Sequence, residues 1–214
     1  TLISSFYGNT GQRCLSGANL VAVGDVYNTL KVKFLRASAN LRLGYGLDET
    51  TEMGPLVTRV AKERTEAYVK KGLEEGAKLV LDGRNARVEE YPRGYFVGPT
   101  VFDEVNPDMT IAKDEIFGPL VCIIRANGLD DAIEMINRSS YGNAACIFTS
   151  SGKLAREFRR GVQVGNIGVN VGIPAPIAPF PFAGWKESFF GVLHGQMDCV
   201  DFFTDKKVVI TRWW

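Results

Sequence analysis

Short apolar runs and amphipathic stretches alternate between Asn19 and Val171, and this alternation limits the folds open to the chain more than any other feature. Asn19 to Val23 reads as a strand, and Asp25 can cap a helix with Val26, Leu30 and Phe34 on one face, stopped by Gly44. Beyond a loop at Gly54-Pro55, Thr58 is placed to cap a second helix with Ala61, Tyr68, Val69 and Gly72 in its stripe, ending near Gly76. Lys78 to Leu81, Tyr95 to Phe102 and Leu120 to Ile124 are strand candidates. Leu129, Ala132, Ile133 and Ile136 recur at i, i+3, i+4 and i+7, which specifies an amphipathic helix. Ala144 to Thr149 is a strand, Ser150 a cap for a helix carrying Leu154, Ala155 and Phe158, and Val162 to Val171 the strand that follows. Strands this short that look buried on both faces predict an α/β fold: a mostly parallel sheet with helices on both faces.

The alternation stops at Gly172. Four of the nine prolines, Pro174, Pro176, Pro179 and Pro181, fall in the next stretch, which can be neither helix nor central strand. Phe202 to Thr211 returns to β-forming residues, with Lys206-Lys207 interrupting it as an edge strand would. The 214 residues suffice for one generous domain or two small ones. With 25 basic and 24 acidic residues the net charge is +1, which argues against nucleic acid or an anionic membrane as the main partner. No apolar run approaches the roughly 18 to 20 residues that cross a bilayer. The opening Thr1-Leu2-Ile3-Ser4-Ser5-Phe6 has no basic segment, no signal-like core and no initiating Met, so a processed or truncated product is expected. Cysteines at 14, 122, 146 and 199 are too scattered for a disulfide framework or a metal site. They fit a reducing compartment, so the expected location is cytoplasmic, or the mitochondrial matrix in a eukaryote.

Three segments could carry chemistry. Gly8-Asn9-Thr10-Gly11-Gln12-Arg13-Cys14 is a glycine-punctuated turn ending in a thiol beside a cation. The Arg and the free N–H groups of a turn favour thiolate and could hold an oxyanion. Equally, Cys14 could be a small buried hydrophobe, and spacing alone does not decide. His194, the single histidine, offers a Cys and His dyad only if the fold brings it to Cys14; Cys122 and Cys146, within apolar strands, read as core. In Lys113-Asp114-Glu115-Ile116-Phe117-Gly118-Pro119 a carboxylate could accept from sugar hydroxyls while the ring packs on a flat cofactor; the alternative is a solvated turn with one core Phe. Pro181-Phe182-Ala183-Gly184-Trp185-Lys186-Glu187-Ser188 closes the proline-rich stretch with aromatics that could wall a small-molecule pocket. There is no Gly-x-Gly-x-x-Gly between a strand and a helix and no P-loop, so the phosphates of any dinucleotide would be held by residues outside this chain.

In this order the segments resemble the aldehyde dehydrogenase superfamily. Gly11-Gln12-Arg13-Cys14 is similar to its catalytic-cysteine segment, Glu115-Ile116-Phe117-Gly118-Pro119 to its E-x-F-G-P motif, and Pro181-Phe182-Ala183-Gly184-Trp185-Lys186 to its P-F-G-G-x-K loop. Within the superfamily, Arg13, Tyr141-Gly142-Asn143, Gly168-Val169-Asn170-Val171 and Ser188-Phe189-Phe190-Gly191 resemble the CoA-acylating methylmalonate or malonate semialdehyde branch. The resemblance covers the family's C-terminal half. It implies a catalytic domain over residues 1–195 and an oligomerisation strand over 196–214, making a homo-oligomer, dimer or tetramer, with the NAD-binding domain absent. By the same resemblance Cys14 attacks a semialdehyde, the hemithioacetal gives hydride to NAD, and CoA accepts the acyl group from the resulting thioester. Arg13 would grip the substrate carboxylate, unless it is a structural pair or a surface charge. Phe182 would line the substrate tunnel, Glu115 would bind the nicotinamide ribose, and Phe117 would pack near the nicotinamide. The rival expectations are an acid-forming enzyme that uses water, and a non-catalytic oligomerisation module. The family's general-base Glu and oxyanion-hole Asn would lie upstream of Thr1, so little turnover is expected of the chain alone, and neither NAD nor CoA is expected to bind it well. Ala183 and Phe189 replace glycines of the family's pattern.

Overall fold

The computed structural model describes residues 1–191 and 194–214, and its centre is a sheet with an apolar layer on each face. Helix α1 (Leu2–Tyr7) precedes strand β1 (Asn19–Val23), and α2 (Val26–Ala39) and α3 (Arg59–Glu74) follow. Next come β2 (Lys78–Leu81), β3 (Thr100–Asp103), α4 (Thr110–Lys113), β4 (Leu120–Ala126) and α5 (Leu129–Arg138). The remainder comprises β5 (Tyr141–Gly142), β6 (Ala144–Ile147), α6 (Gly152–Gly161), β7 (Asn166–Val169), β8 (Trp185–Lys186) and α7 (Gln196–Phe203).

The main sheet has the order β1-β4-β3-β2, with β1, β4 and β3 parallel and β2 antiparallel at the edge. Alternation along β4 divides the core. Val121 and Ile123 pack with Leu20, Ala22 and Val101 against Phe6, Tyr7 and Phe34 of α1 and α2; Leu120, Cys122 and Ile124 face Val69 of α3 and Ile111 of α4. Phe34 is the hinge of the first layer, edge-on to Phe6 at 5.5 Å and stacked on Tyr7 at 6.0 Å between centroids. The parallel pair β6-β7 is covered by α5 and α6 through Ile133, Ile136 and Phe158, with Val162 just past the end of α6 in the same cluster. The α/β fold read from the alternation is the fold observed.

Several local expectations change. Asp25 does precede α2, but its side chain makes no capping bond, and Val26 is half exposed while Tyr27, Phe34 and Ser38 form the buried face. That helix ends at Ala39 rather than Gly44, because Leu41 and Leu43 turn back onto the core. Thr58 caps α3 as expected, its Oγ accepting from the Ala61 N–H at 3.1 Å, but Thr65 joins Val69 as a fully buried member of the stripe and Tyr68 is only partly buried. The strand expected from Tyr95 is paired only from Thr100. The run before it hydrogen-bonds to loops, with the Gly98 N–H donating to Gly83 O and the Leu56 N–H to Tyr95 O. Ser151, not Ser150, caps α6 through the Leu154 N–H. The last parallel strand shortens to Asn166–Val169.

The expected terminal strand from Phe202 is not formed here. Phe202 and Phe203 close α7, and residues 204–214 join no ladder among the described residues, since a strand needs a second edge to pair with. No helix among the described residues is long and apolar enough to cross a membrane.

Candidate active site

Helix α1 runs into a turn in which Asn9, Thr10 and Gly11 successively adopt φ of 53°, 58° and 70°. Asn and Gly tolerate this region, but Thr, being β-branched, is held there by its surroundings. Thr10 is fully buried and its hydroxyl donates to Gly54 O at 2.9 Å. Gln12 Oε1 accepts from the Val57 N–H at 3.0 Å, and the Asn9 amide donates to Gln12 O at 2.9 Å. The chain then turns at Arg13–Ser16, closed by the Ser16 N–H on Arg13 O at 3.0 Å.

This turn leaves Cys14 exposed, so the buried-hydrophobe alternative does not hold. Its carbonyl accepts from the Asn143 Nδ2 amide at 2.7 Å, while among the described residues nothing accepts from its backbone N–H. A free N–H on the residue that carries an exposed thiol can serve as an oxyanion donor. Arg13 is exposed, its guanidinium lies over Gly8, and it has no carboxylate partner among the described residues, so the structural-pair alternative is not realised.

The other thiols differ. Cys122 is buried, donates to Ile111 O, and burial pushes its pKa well above the usual thiol value. Cys146 is half-buried, donates to Gly172 O at 3.7 Å, and is also shifted upward by burial. Cys199 is exposed on α7.

The Glu115 loop leads from α4 into β4. Ile116 is the core residue, while Phe117 is 36% exposed at a φ of 58°, so the aromatic face is presented outward rather than buried. Glu115 is exposed without an ion pair among the described residues, whereas its neighbour Asp114 is held by the Tyr68 hydroxyl at 2.9 Å. This loop touches the Cys14 turn at Gly118, whose carbonyl lies against Gly11.

The third segment is tied to the same place. Asn166, 8% exposed, donates through Nδ2 to Asn143 O at 3.0 Å and to Ala183 O, so Asn143 and Asn166 link the Cys14 turn to the Phe182 loop. Phe182 is half-buried and paired by backbone bonds to His194. The His194 ring packs on Phe189 at 4.8 Å, and no hydrogen bond joins it to Cys14 among the described residues, so the Cys and His dyad is not assembled. The Lys186 ammonium donates to Asn137 O at 2.9 Å and Ser139 O at 2.8 Å at the C-terminal end of α5, and burial lowers its pKa. Sequence reasoning noticed Tyr141-Gly142-Asn143 only as part of the resemblance. The linking role of Asn143 and Asn166 and the helix-capping role of Lys186 depend on contacts distant in sequence and had no local signal.

An α/β scaffold thus presents an exposed thiol on a strained turn that touches the Glu115-Phe117 loop at Gly118 and is linked through Asn143 and Asn166 to the loop at Ala183. The sequence signature of the aldehyde dehydrogenase family matches residues 1–209, and the chain belongs to that family. It is 47% identical over 214 residues to malonate-semialdehyde dehydrogenase 2 of Geobacillus kaustophilus, covering 99% of this chain and 44% of that relative. Among solved structures it is similar to the methylmalonate-semialdehyde dehydrogenase of Oceanimonas doudoroffii, with 39% identity and a TM-score of 0.92, covering 99% of this chain and 44% of that one. It is also similar to a Sinorhizobium meliloti protein assigned as a methylmalonate-semialdehyde dehydrogenase and complexed with NAD, with 40% identity, a TM-score of 0.93 and the same coverage. The chain thus spans less than half the length of these relatives.

Proposed function

We propose that this chain is the nucleophile-bearing part of an NAD-dependent, CoA-acylating malonate or methylmalonate semialdehyde dehydrogenase, with Cys14 as the nucleophile. The carrying observation is the exposed Cys14, whose N–H has no acceptor among the described residues, on a turn that touches the Glu115-Phe117 loop at Gly118 and is linked through Asn143 and Asn166 to the Phe182 loop, in a chain 47% identical to a malonate-semialdehyde dehydrogenase. Cys14 Sγ adds to the aldehyde carbon, and its own N–H steadies the oxyanion of the hemithioacetal. Loss of hydride from that carbon leaves a thioester on Cys14, which the CoA thiol takes over. The substrate carboxylate leaves as carbon dioxide and a proton from solvent takes its place on the α carbon, giving acetyl- or propionyl-CoA.

Arg13, with no carboxylate of the protein on its guanidinium among the described residues, is suited to grip the substrate carboxylate with its planar fork. Glu115 and Phe117, both exposed and adjoining the Cys14 turn through Gly118, fit the nicotinamide end of NAD by a carboxylate for the ribose hydroxyls and a ring for the flat base. NAD, when bound, supplies the hydride acceptor. Phe182 walls the substrate side. The exposed Val208, Val209, Ile210, Trp213 and Trp214 beyond α7 suit pairing between copies in a homo-oligomer, and a cytoplasmic or matrix location fits the free thiols.

The test is a hybrid in which this chain replaces its counterpart in the Geobacillus kaustophilus relative, assayed for NADH formation from malonate semialdehyde with and without CoA. CoA-dependent NADH and an acyl-CoA product, both lost in C14S, are expected. NADH with a free acid and no use of CoA would assign the acid-forming reaction instead. A folded hybrid with neither product would leave a non-catalytic assembly module. Arg13→Gln should lower activity on the semialdehyde far more than on an uncharged aldehyde such as propanal.

A further inference from the structure

Asn143 lies at the junction of β5 and β6, and its amide nitrogen reaches 129 residues back along the chain to the Cys14 carbonyl at 2.7 Å. The same side chain carries a buried Oδ1 with no hydrogen-bond partner. A buried acceptor without a partner destabilises a fold, so a leucine of similar volume would serve stability at least as well as this asparagine. What leucine could not do is donate to Cys14.

That donation matters because Cys14 is otherwise held only through its neighbours. Its thiol is exposed, its N–H is free among the described residues, and the turn around it is closed by the Ser16 N–H on Arg13 O. Fixing the Cys14 carbonyl fixes the peptide plane that follows Cys14, and the closed turn fixes the one before it. Together they aim the Cys14 N–H and its Cα–Cβ bond. The backbone of Asn143 is itself locked, its carbonyl accepting from the Asn166 N–H at 3.0 Å and from Asn166 Nδ2 at 3.0 Å.

We propose that Asn143 is a positioning residue for the nucleophile, orienting the Cys14 backbone so that its N–H meets the oxyanion that forms when the thiolate attacks a carbonyl. The proposal rests on the reading of Cys14 as the nucleophile and adds to it the group that sets its geometry.

Two reactions of Cys14 in the full chain separate orientation from mere folding. Acetylation by p-nitrophenyl acetate forms the S–C bond, passes through a tetrahedral oxyanion, and expels p-nitrophenolate while the thiol proton goes to buffer. Alkylation by iodoacetamide displaces iodide and forms no oxyanion. Both are followed by mass spectrometry of the Cys14 peptide, in the wild type and in N143L. Acetylation is expected to slow roughly tenfold in N143L, since a misplaced donor loses much of its effect, with the alkylation rate and the thermal midpoint unchanged. Equal rates of acetylation in both proteins would overturn the proposal while leaving Cys14 a nucleophile. Parallel loss of both reactions would also overturn it, because it would mark Asn143 as a structural support only. A wild type whose Cys14 is alkylated but never acetylated would instead sink the nucleophile reading, and the proposal with it. If N143L does not fold, N143A gives the same comparison.

Discussion

A Cβ placed on Gly11 would lie 2.3 Å from the carbonyl oxygen of Gly118, so the turn that presents Cys14 and the loop that presents Glu115 and Phe117 touch backbone to backbone. Only glycine allows it, both for the space and for the φ of 70°. Substitution at Gly11 should therefore be far worse than at Gly76, where φ is 88° but nothing lies within 4 Å of a new Cβ. G11A is expected to cost about 3 kcal/mol or more, combining backbone strain with a clash that neither loop can relieve alone. G76A should cost about 1 kcal/mol, from the conformation only. Urea unfolding of the two variants checks the difference, and equal losses would mean that the contact is not tight.

Asp103 ends β3 with its side chain 1% exposed, hydrogen-bonded by the Tyr27 hydroxyl and by Lys31 at 2.8 Å. Burial by itself would raise this carboxyl, but the bonds from Lys31 and Tyr27 outweigh it and hold the pKa below the ordinary 3.8. The folded state then binds this proton more weakly than the unfolded state, so the stabilisation is present above 3.8 and is lost as pH falls through the lower folded value. Lys31 is shifted upward from 10.5, first by the same hydrogen bond, so its share holds below 10.5 and fades only as pH rises through the raised value. K31M, which leaves Asp103 buried with Tyr27, should lower stability by about 2 kcal/mol at neutral pH, discounted for the partial exposure of Lys31. The gap between K31M and wild type should close in acid, measured by urea unfolding at a series of pH values.

Replacing Asn166 by Ala removes the side-chain donor shared by Asn143 O and Ala183 O. A loss of about 2 kcal/mol is expected, because the Ala183 carbonyl is left without its partner. The Phe182 loop should also become easier to cut, and limited proteolysis mapped to residues 172–188 would show it. Unchanged cleavage would mean that the loop is held from its other end, by Lys186 and by Ser188, whose Oγ accepts from the Gly142 N–H.

Brief treatment of the native chain with iodoacetamide should modify Cys14 and Cys199, which are exposed, more slowly Cys146, and Cys122 only after unfolding. The upward shift of the Cys122 thiol by burial reinforces its inertness, since the thiolate is the reactive form. Peptide mapping checks the order. Native-state modification of Cys122 would contradict the packing between α4 and β4.

Much of this was legible in the sequence, for a physical reason. Asn19 to Val23 and Thr58 were read correctly because strand hydrophobicity and helix capping are local. The errors fall where a distant group decides. Tyr27 rather than Val26 faces inward, its hydroxyl meeting Asp103 on a strand 76 residues away. Tyr95 to Gly98 looks like strand but is drawn to the loops at Leu56 and Gly83. At the site, glycine and turn chemistry put Cys14, Glu115 and Phe117 on turns, but whether Cys14 and Phe117 were buried stayed open until the fold showed both exposed. Asn143 and Asn166 gave no such sign: an asparagine beside a short strand is ordinary until the fold shows which carbonyl it meets.

The bond between Cys14 and Asn143 also orders events in time. At synthesis rates of about 5 to 20 residues per second, on the order of ten seconds separate the emergence of the thiol from that of the amide that holds its backbone, 129 residues later. Asn166 and Ala183, which complete the frame, come later still. Cys14 is thus made well before the groups that come to surround it. A chain interrupted before Asn143 would carry the cysteine without the amide that holds its carbonyl.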